Sequence, residues 1–145
     1  ATLGIPALAV SLQTPTEFHF NLSNQVDFSI AGYFTGYFAE KMLRTQLPFD
    51  VDVVKVDVPQ SATRETPWVI TRQSRQRYFF PVPREVEDGN GSRNMGYTTR
   101  VDAETVEADS DLRTVVLDQK VSVTPLSYDM TSRVDFGELR QLLGE

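Results

Sequence analysis

The sequence predicts an α/β fold, and three observations carry the prediction. Two apolar runs at 7–12 and 53–58, the second rich in β-branched residues, flank a stretch of helical periodicity. The part after Pro59 is rich in extended runs with no long helix between them, and the closing residues repeat apolar side chains at helical spacing. At 145 residues, 40% of them apolar and 23% charged, the chain can enclose a core, so disorder is not its default state.

Ala7-Leu8-Ala9-Val10-Ser11-Leu12 reads as a short buried strand. Gln13-Thr14-Pro15-Thr16 closes it, since Pro15 has no N–H to give a central ladder. Glu17-Phe18-His19-Phe20 is expected to form a second short extended piece. From Asn24 the period changes: Val26, Ile30, Tyr33, Phe34, Tyr37 and Phe38 mark one face of a helix running to about Gln46. Ser23 or Asn24 is placed to cap it, Lys41 and Arg44 sit where the helix dipole favours cations, and Pro48 follows its end. Val53-Val54-Lys55-Val56-Asp57-Val58 is the next strand, ending at Pro59. Strand, helix and strand make a β-α-β unit, whose crossover is almost always right-handed and leaves its strands parallel. A doubly wound sheet follows from that connection.

Beyond Pro59, Trp68-Val69-Ile70-Thr71, Tyr78-Phe79-Phe80-Pro81-Val82, Arg113-Thr114-Val115-Val116-Leu117 and Lys120-Val121-Ser122-Val123-Thr124 all read as strands. The turn-sized gap at Asp118-Gln119 predicts a hairpin between the last two, and Glu87-Asp88-Gly89-Asn90-Gly91-Ser92 a flexible connection. Val134, Phe136, Leu139, Leu142 and Leu143 predict a closing amphipathic helix with Asp135 and Glu138 in its first turns. The expected division is residues 1–59 as part of the α/β core and 60–145 as a β-rich oligomerisation region with the terminal helix. A parallel sheet needs helices on both faces, yet the sequence opens directly in a buried strand, so an N-terminal part is expected to be missing. The open edge of the strand carrying Leu8, Val10 and Leu12 predicts self-association.

The net charge of −6 gives no overall attraction to nucleic-acid polymers or anionic membrane. No run approaches the roughly 18 apolar residues of a membrane span, and no basic-then-apolar leader opens the sequence. A cytoplasmic protein is expected. With no cysteine there are no disulfides and no thiolate metal ligands.

Three groups of residues are candidates for chemistry. His19, the single histidine, lies between Phe18 and Phe20 with no Gly-x-Ser-x-Gly elbow to present a serine to it, and is read as a structural or surface histidine. Asp102, Glu104, Glu107, Asp109 and Asp111 hold the oxygen donors that a hard cation prefers, but their spacing fits no calcium loop and a solvated acidic loop is expected. Arg72, Arg75 and Arg77 beside Tyr78 have the chemistry to clamp a phosphate or stack on a base, or to form an interface or edge-strand cluster pairing with acidic loops. At strand spacing Arg75 and Arg77 share one face and Arg72 takes the other.

Several of these pieces together resemble the SurE family of 5'-nucleotidases and acid phosphatases. Gly4-Ile5-Pro6-Ala7-Leu8-Ala9-Val10-Ser11 is similar to its G-x-P-A-x-A-x-S strand. Val54-Lys55-Val56-Asp57-Val58-Pro59 is similar to its N-x-N-x-P strand, with Lys55 and Asp57 where asparagines are common. Val69-Ile70-Thr71-Arg72-Gln73 with Arg75, Arg77 and Tyr78 resembles a further segment. Asp109-Ser110-Asp111, Val121-Ser122-Val123-Thr124-Pro125-Leu126 and Asp129-Met130-Thr131 resemble the family's ending. The resemblance spans nearly the whole sequence but matches only the family's C-terminal half. It implies part of a Rossmann-like three-layer sheet with an appended β-rich hairpin region and a C-terminal helix used in homodimers or homotetramers. It also implies hydrolysis of nucleoside monophosphates with a divalent metal, Mg or Mn. The adjacent aspartates and the glycine-rich phosphate segment of the family have no counterpart here, so the metal ligands are expected outside this chain. No catalytic, cofactor-binding or metal-binding role is therefore assigned to any residue. The natural partner is expected to be the N-terminal half of the same protein, and the chain alone is expected to be inactive. The alternative reading is a non-catalytic oligomerisation or nucleotide-binding module.

Overall fold

A parallel strand pair and the helix that joins it set the frame of the computed structural model, which describes residues 4–20, 24–84 and 94–144. Strand β1 (Ala7–Leu12) leads through helix α1 (Ser29–Arg44) to strand β2 (Val53–Val58), and the two strands pair in parallel with Ser11 opposite Asp57. The expected β-α-β unit is therefore present. Alternation places Val54, Val56 and Val58 on one face, where they form a core with Phe34 and Phe38 of α1. Leu8, Val10 and Leu12 of β1 pack against that core.

Short strand β3 (Trp68–Ile70) follows, then a ribbon of β4 (Phe79–Arg84) and β5 (Asn94–Thr99), helix α2 (Asp111–Val116), strand β6 (Val121–Leu126) and helix α3 (Phe136–Leu143). The main sheet runs β1-β2-β6-β3, with β6 antiparallel to β2 and parallel to β3. Strands from both sides of Pro59 thus share one sheet. Pro125 fits within β6 because Val121 and Val123 of the same parity bond toward the β3 side, through Pro67 and Thr71, and β3 ends at Ile70. At Pro125 no neighbour on that side asks for its missing N–H. Helix α1 covers one face of the sheet and α2 packs on β6 and β2, giving three layers. On the α2 side Thr71, Ser122 and Thr124 are buried and satisfy one another, with hydroxyl oxygens 2.7 and 2.8 Å from Thr71 Oγ1.

Four expectations are corrected here. Residues Thr16–Phe20 are a 3-10 helix rather than an extended piece, opened by the Phe18 N–H donating to the Pro15 carbonyl at 3.0 Å. Helix α1 begins at Ser29, not near Asn24, where Asp27 Oδ1 accepts from the Ser29 N–H at 2.8 Å, one of the four N–H groups that a helix start leaves free. The run at 113–117 is helical, and no hairpin joins it to β6. Ser110 is a buried N-cap accepting from the Arg113 N–H, and Thr114 and Val115 are buried, so capping and packing override β-branched propensity. Finally, apart from an isolated bridge at Arg72, the segment after β3 is loop until β4, so Arg75 and Arg77 share no strand face. The connection expected at 87–92 lies outside the described residues.

The closing helix α3 matches its expected position, with Asp135 as N-cap accepting from the Glu138 N–H and Gly144 in the left-handed conformation at its end. The ribbon β4-β5 stands apart from the main sheet, and Pro81 and Pro83, two apart, direct their missing donors to one edge of it.

Candidate functional site

The same alternation that sends valines toward α1 sends Ser11, Lys55 and Asp57 to the opposite face. Ser11 Oγ donates to Asp57 Oδ1 at 2.7 Å across the β1–β2 pair. Lys55 Nζ lies 2.9 Å from Asp57 Oδ2 and 2.6 Å from Asp111 Oδ2, so one ammonium bridges two carboxylates. Asp111 is only 7% exposed, and its other oxygen accepts from the Ser74 and Leu112 N–H groups. Burial pushes the Lys55 pKa down, but the hydrogen bonds to Asp111 and Asp57 outweigh it and leave the pKa raised.

This network forms one wall of a cavity of about 440 Å³ on the α2 side of the sheet, which reaches Gln13 and Thr14 just past the end of β1. Leu12, Leu112, Val115 and Val116 supply apolar lining, and Tyr78 and Phe79 an aromatic edge. His19 also lines it. Its Nε2 is 3.0 Å from the Thr14 carbonyl, which only accepts, so Nε2 carries the proton and Nδ1 accepts from the Tyr97 hydroxyl at 2.6 Å. His19 thereby ties the β4-β5 ribbon to the end of β1.

The acidic run divides: Asp102, Glu104 and Asp109 are exposed as a solvated loop would have them, whereas Glu107 is half-buried and Asp111 buried. Asp111 is buried under Lys55, and Glu107 accepts from the Ser74 hydroxyl at 2.6 Å and the Arg75 N–H at 2.9 Å. The Ser74 hydroxyl, followed by the Arg75 N–H, holds the Glu107 pKa below its ordinary value. Gln76 clasps the backbone of Asp102 from both ends of its amide. The arginines do not converge on the cavity: Arg72 pairs with Asp109 at 3.1 Å, and Arg77 donates to the Phe79 carbonyl and lies over the Phe80 ring. No local sequence pattern joins Ser11, Lys55, Asp57 and Asp111 into one group. The available signal was a lysine and an aspartate at strand spacing inside a core strand, where charge survives only when paired.

A divalent metal does not fit these residues. The described residues hold no group of three or more His, Asp and Glu side chains arranged for one. Where two carboxylates do converge, the Lys55 ammonium already fills the position of the cation.

These features define a class: a three-layer α/β protein with a polar network and a cleft on the α2 side of its sheet. No family model matches the chain. Over 143 residues it is 37% identical to the 5'-nucleotidase SurE of Thermococcus gammatolerans and 36% identical to that of Thermococcus kodakarensis. Each match covers 99% of this chain, and 53% and 54% of those relatives. A crystal structure of the SurE protein from Aquifex aeolicus shares the fold, with a TM-score of 0.62 at 24% identity over 98% of this chain and 53% of that one. The chain is homologous along its length to the C-terminal half of the SurE proteins. It spans about half the length of the curated relatives it matches.

Proposed function

We propose that this chain is the C-terminal half of a metal-dependent 5'-nucleotidase acting on nucleoside monophosphates in the cytoplasm. The observation that carries the reading is the match of 99% of the chain to proteins named 5'-nucleotidase SurE. The cavity on the α2 side of the sheet supports it as one wall of a substrate site. The metal, Mg or Mn, would polarise the phosphoryl group, held by the unmatched half of the protein. This half would supply β1 and β2, the polar wall built on Lys55, and the ribbon that closes the cavity at His19. The exposed apolar side chains of α3, Phe136, Leu139, Leu142 and Leu143, favour assembly into a homodimer or homotetramer.

Phosphate release from AMP with Mn²⁺ or Mg²⁺ tests this, comparing the chain alone with the chain plus the matching N-terminal half. Activity only in the mixture is expected. Equal activity of the chain alone would place the metal site within these residues, and none in either sample would leave a non-catalytic binding or assembly module.

A further inference from the structure

The cavity's charge and lining say which end of a substrate it can take. The one cation among its described lining residues, Lys55, is already shared by Asp57 and Asp111, so the polar wall carries an excess of one negative charge. Such a wall repels a phosphate, and none of Arg72, Arg75 and Arg77 lines the cavity to offset it. The remaining lining suits a flat, uncharged ring. Leu112, Val115 and Val116 give an apolar floor, while Phe79, 51% exposed, meets Tyr78 edge-on with ring centroids 4.8 Å apart. Exposed aromatic rings of this kind are stacking platforms for bases. The Gln73 amide also lines the cavity and makes no hydrogen bond within the described chain, whereas Gln76 spends both ends of its amide on Asp102 and Thr105. An unused amide offers one donor and one acceptor to the edge of a base.

We propose that this cavity receives the nucleoside end of the substrate, with the base against Phe79 and Tyr78 and its edge read by Gln73, and the phosphate outside it. The assignment rests on the nucleotidase reading for its substrate class. It makes Gln73 and Phe79 specificity residues and leaves the phosphate to the unmatched half.

The test is calorimetric titration of the chain with adenosine and, separately, ribose 5-phosphate. Adenosine binds and ribose 5-phosphate does not. Gln73→Ala and Phe79→Ala, both at exposed positions, each weaken adenosine about tenfold, in the range for a lost base contact. Failure of adenosine to bind overturns the proposal, as does equal binding of ribose 5-phosphate or indifference to both substitutions. Reconstitution with the N-terminal half separates this from the wider reading. Adenosine binding that both substitutions weaken, without AMP hydrolysis, overturns the nucleotidase and supports the cavity. Hydrolysis of AMP and ribose 5-phosphate at equal kcat/KM, unchanged by Gln73→Ala, overturns the cavity alone.

Discussion

Lys55 occupies a position where a strand would ordinarily bury an apolar or neutral side chain, and its ammonium is acceptable there because two carboxylates meet it. Removing it by Lys55→Met leaves Asp57 and Asp111 facing each other with their counter-charge gone. The expected loss is about 3 kcal/mol of stability, the scale of breaking a buried ion pair from one side, read from the urea midpoint. A loss under about 1 kcal/mol would mean that the network is loose enough for water to replace the ammonium. Because the folded Lys55 pKa is raised, its contribution is complete below about pH 10. It is lost as the pH rises through the folded value. The wild-type chain should therefore lose stability in that alkaline window, and Lys55→Met should lose much less. Ser11→Ala removes only a hydroxyl from an aspartate that keeps Lys55, and about 1 kcal/mol is expected from the same measurement.

Among the elements, α2 and the ribbon depend on single side chains. The run Arg113-Thr114-Val115-Val116-Leu117 has strand composition, and Ser110 turns it into a helix by accepting the Arg113 N–H while its own hydroxyl donates to the Glu107 carbonyl. Ser110→Ala is expected to cost about 1 kcal/mol and to speed amide exchange in 111–116 more than in β2. The ribbon β4-β5 is outside the main sheet, so its position relies on the His19–Tyr97 bond and the loop bonds from Gln76. His19→Ala should raise amide exchange in 79–84 and 94–99 while β2 and β6 keep their protection, and unchanged exchange would show that the loop bonds suffice.

For the whole molecule, several carboxylates act together at low pH. Arg133 and then Ser127 hold Asp50 below its ordinary pKa, and Ser74 does so for Glu107. Groups with depressed folded values stabilise the fold above the ordinary carboxylate range, and that contribution is lost as the pH falls through the folded values. Unfolding is therefore expected to set in below about pH 4, with Asp50→Asn removing part of the pH dependence. Assembly is the other whole-molecule property. Leu142 and Leu143 of α3 are more than three-quarters exposed, and β1 pairs only with β2 among the described residues. Leu142→Glu with Leu143→Glu should reduce the mass measured by light scattering if α3 carries the assembly, and an unchanged mass would assign it to the edge of β1.

The sequence by itself determined β1, β2, β3, β4, β6 and the closing helix, and α1 apart from its start, because in each the pattern of apolar residues and the local turn signals agree. It also placed Ser11 against Val10 and Lys55 against Val56 on opposite faces, since strand alternation is a local property. Only the tertiary structure decided that 111–116 is helical, because that follows from a buried cap and from packing on β6 rather than from propensity. It also decided that Asp111, one acidic residue in a row of five, is the buried partner of Lys55 56 residues away. Which charges meet depends on strand order and loop path, and no local pattern records a contact made across the sheet.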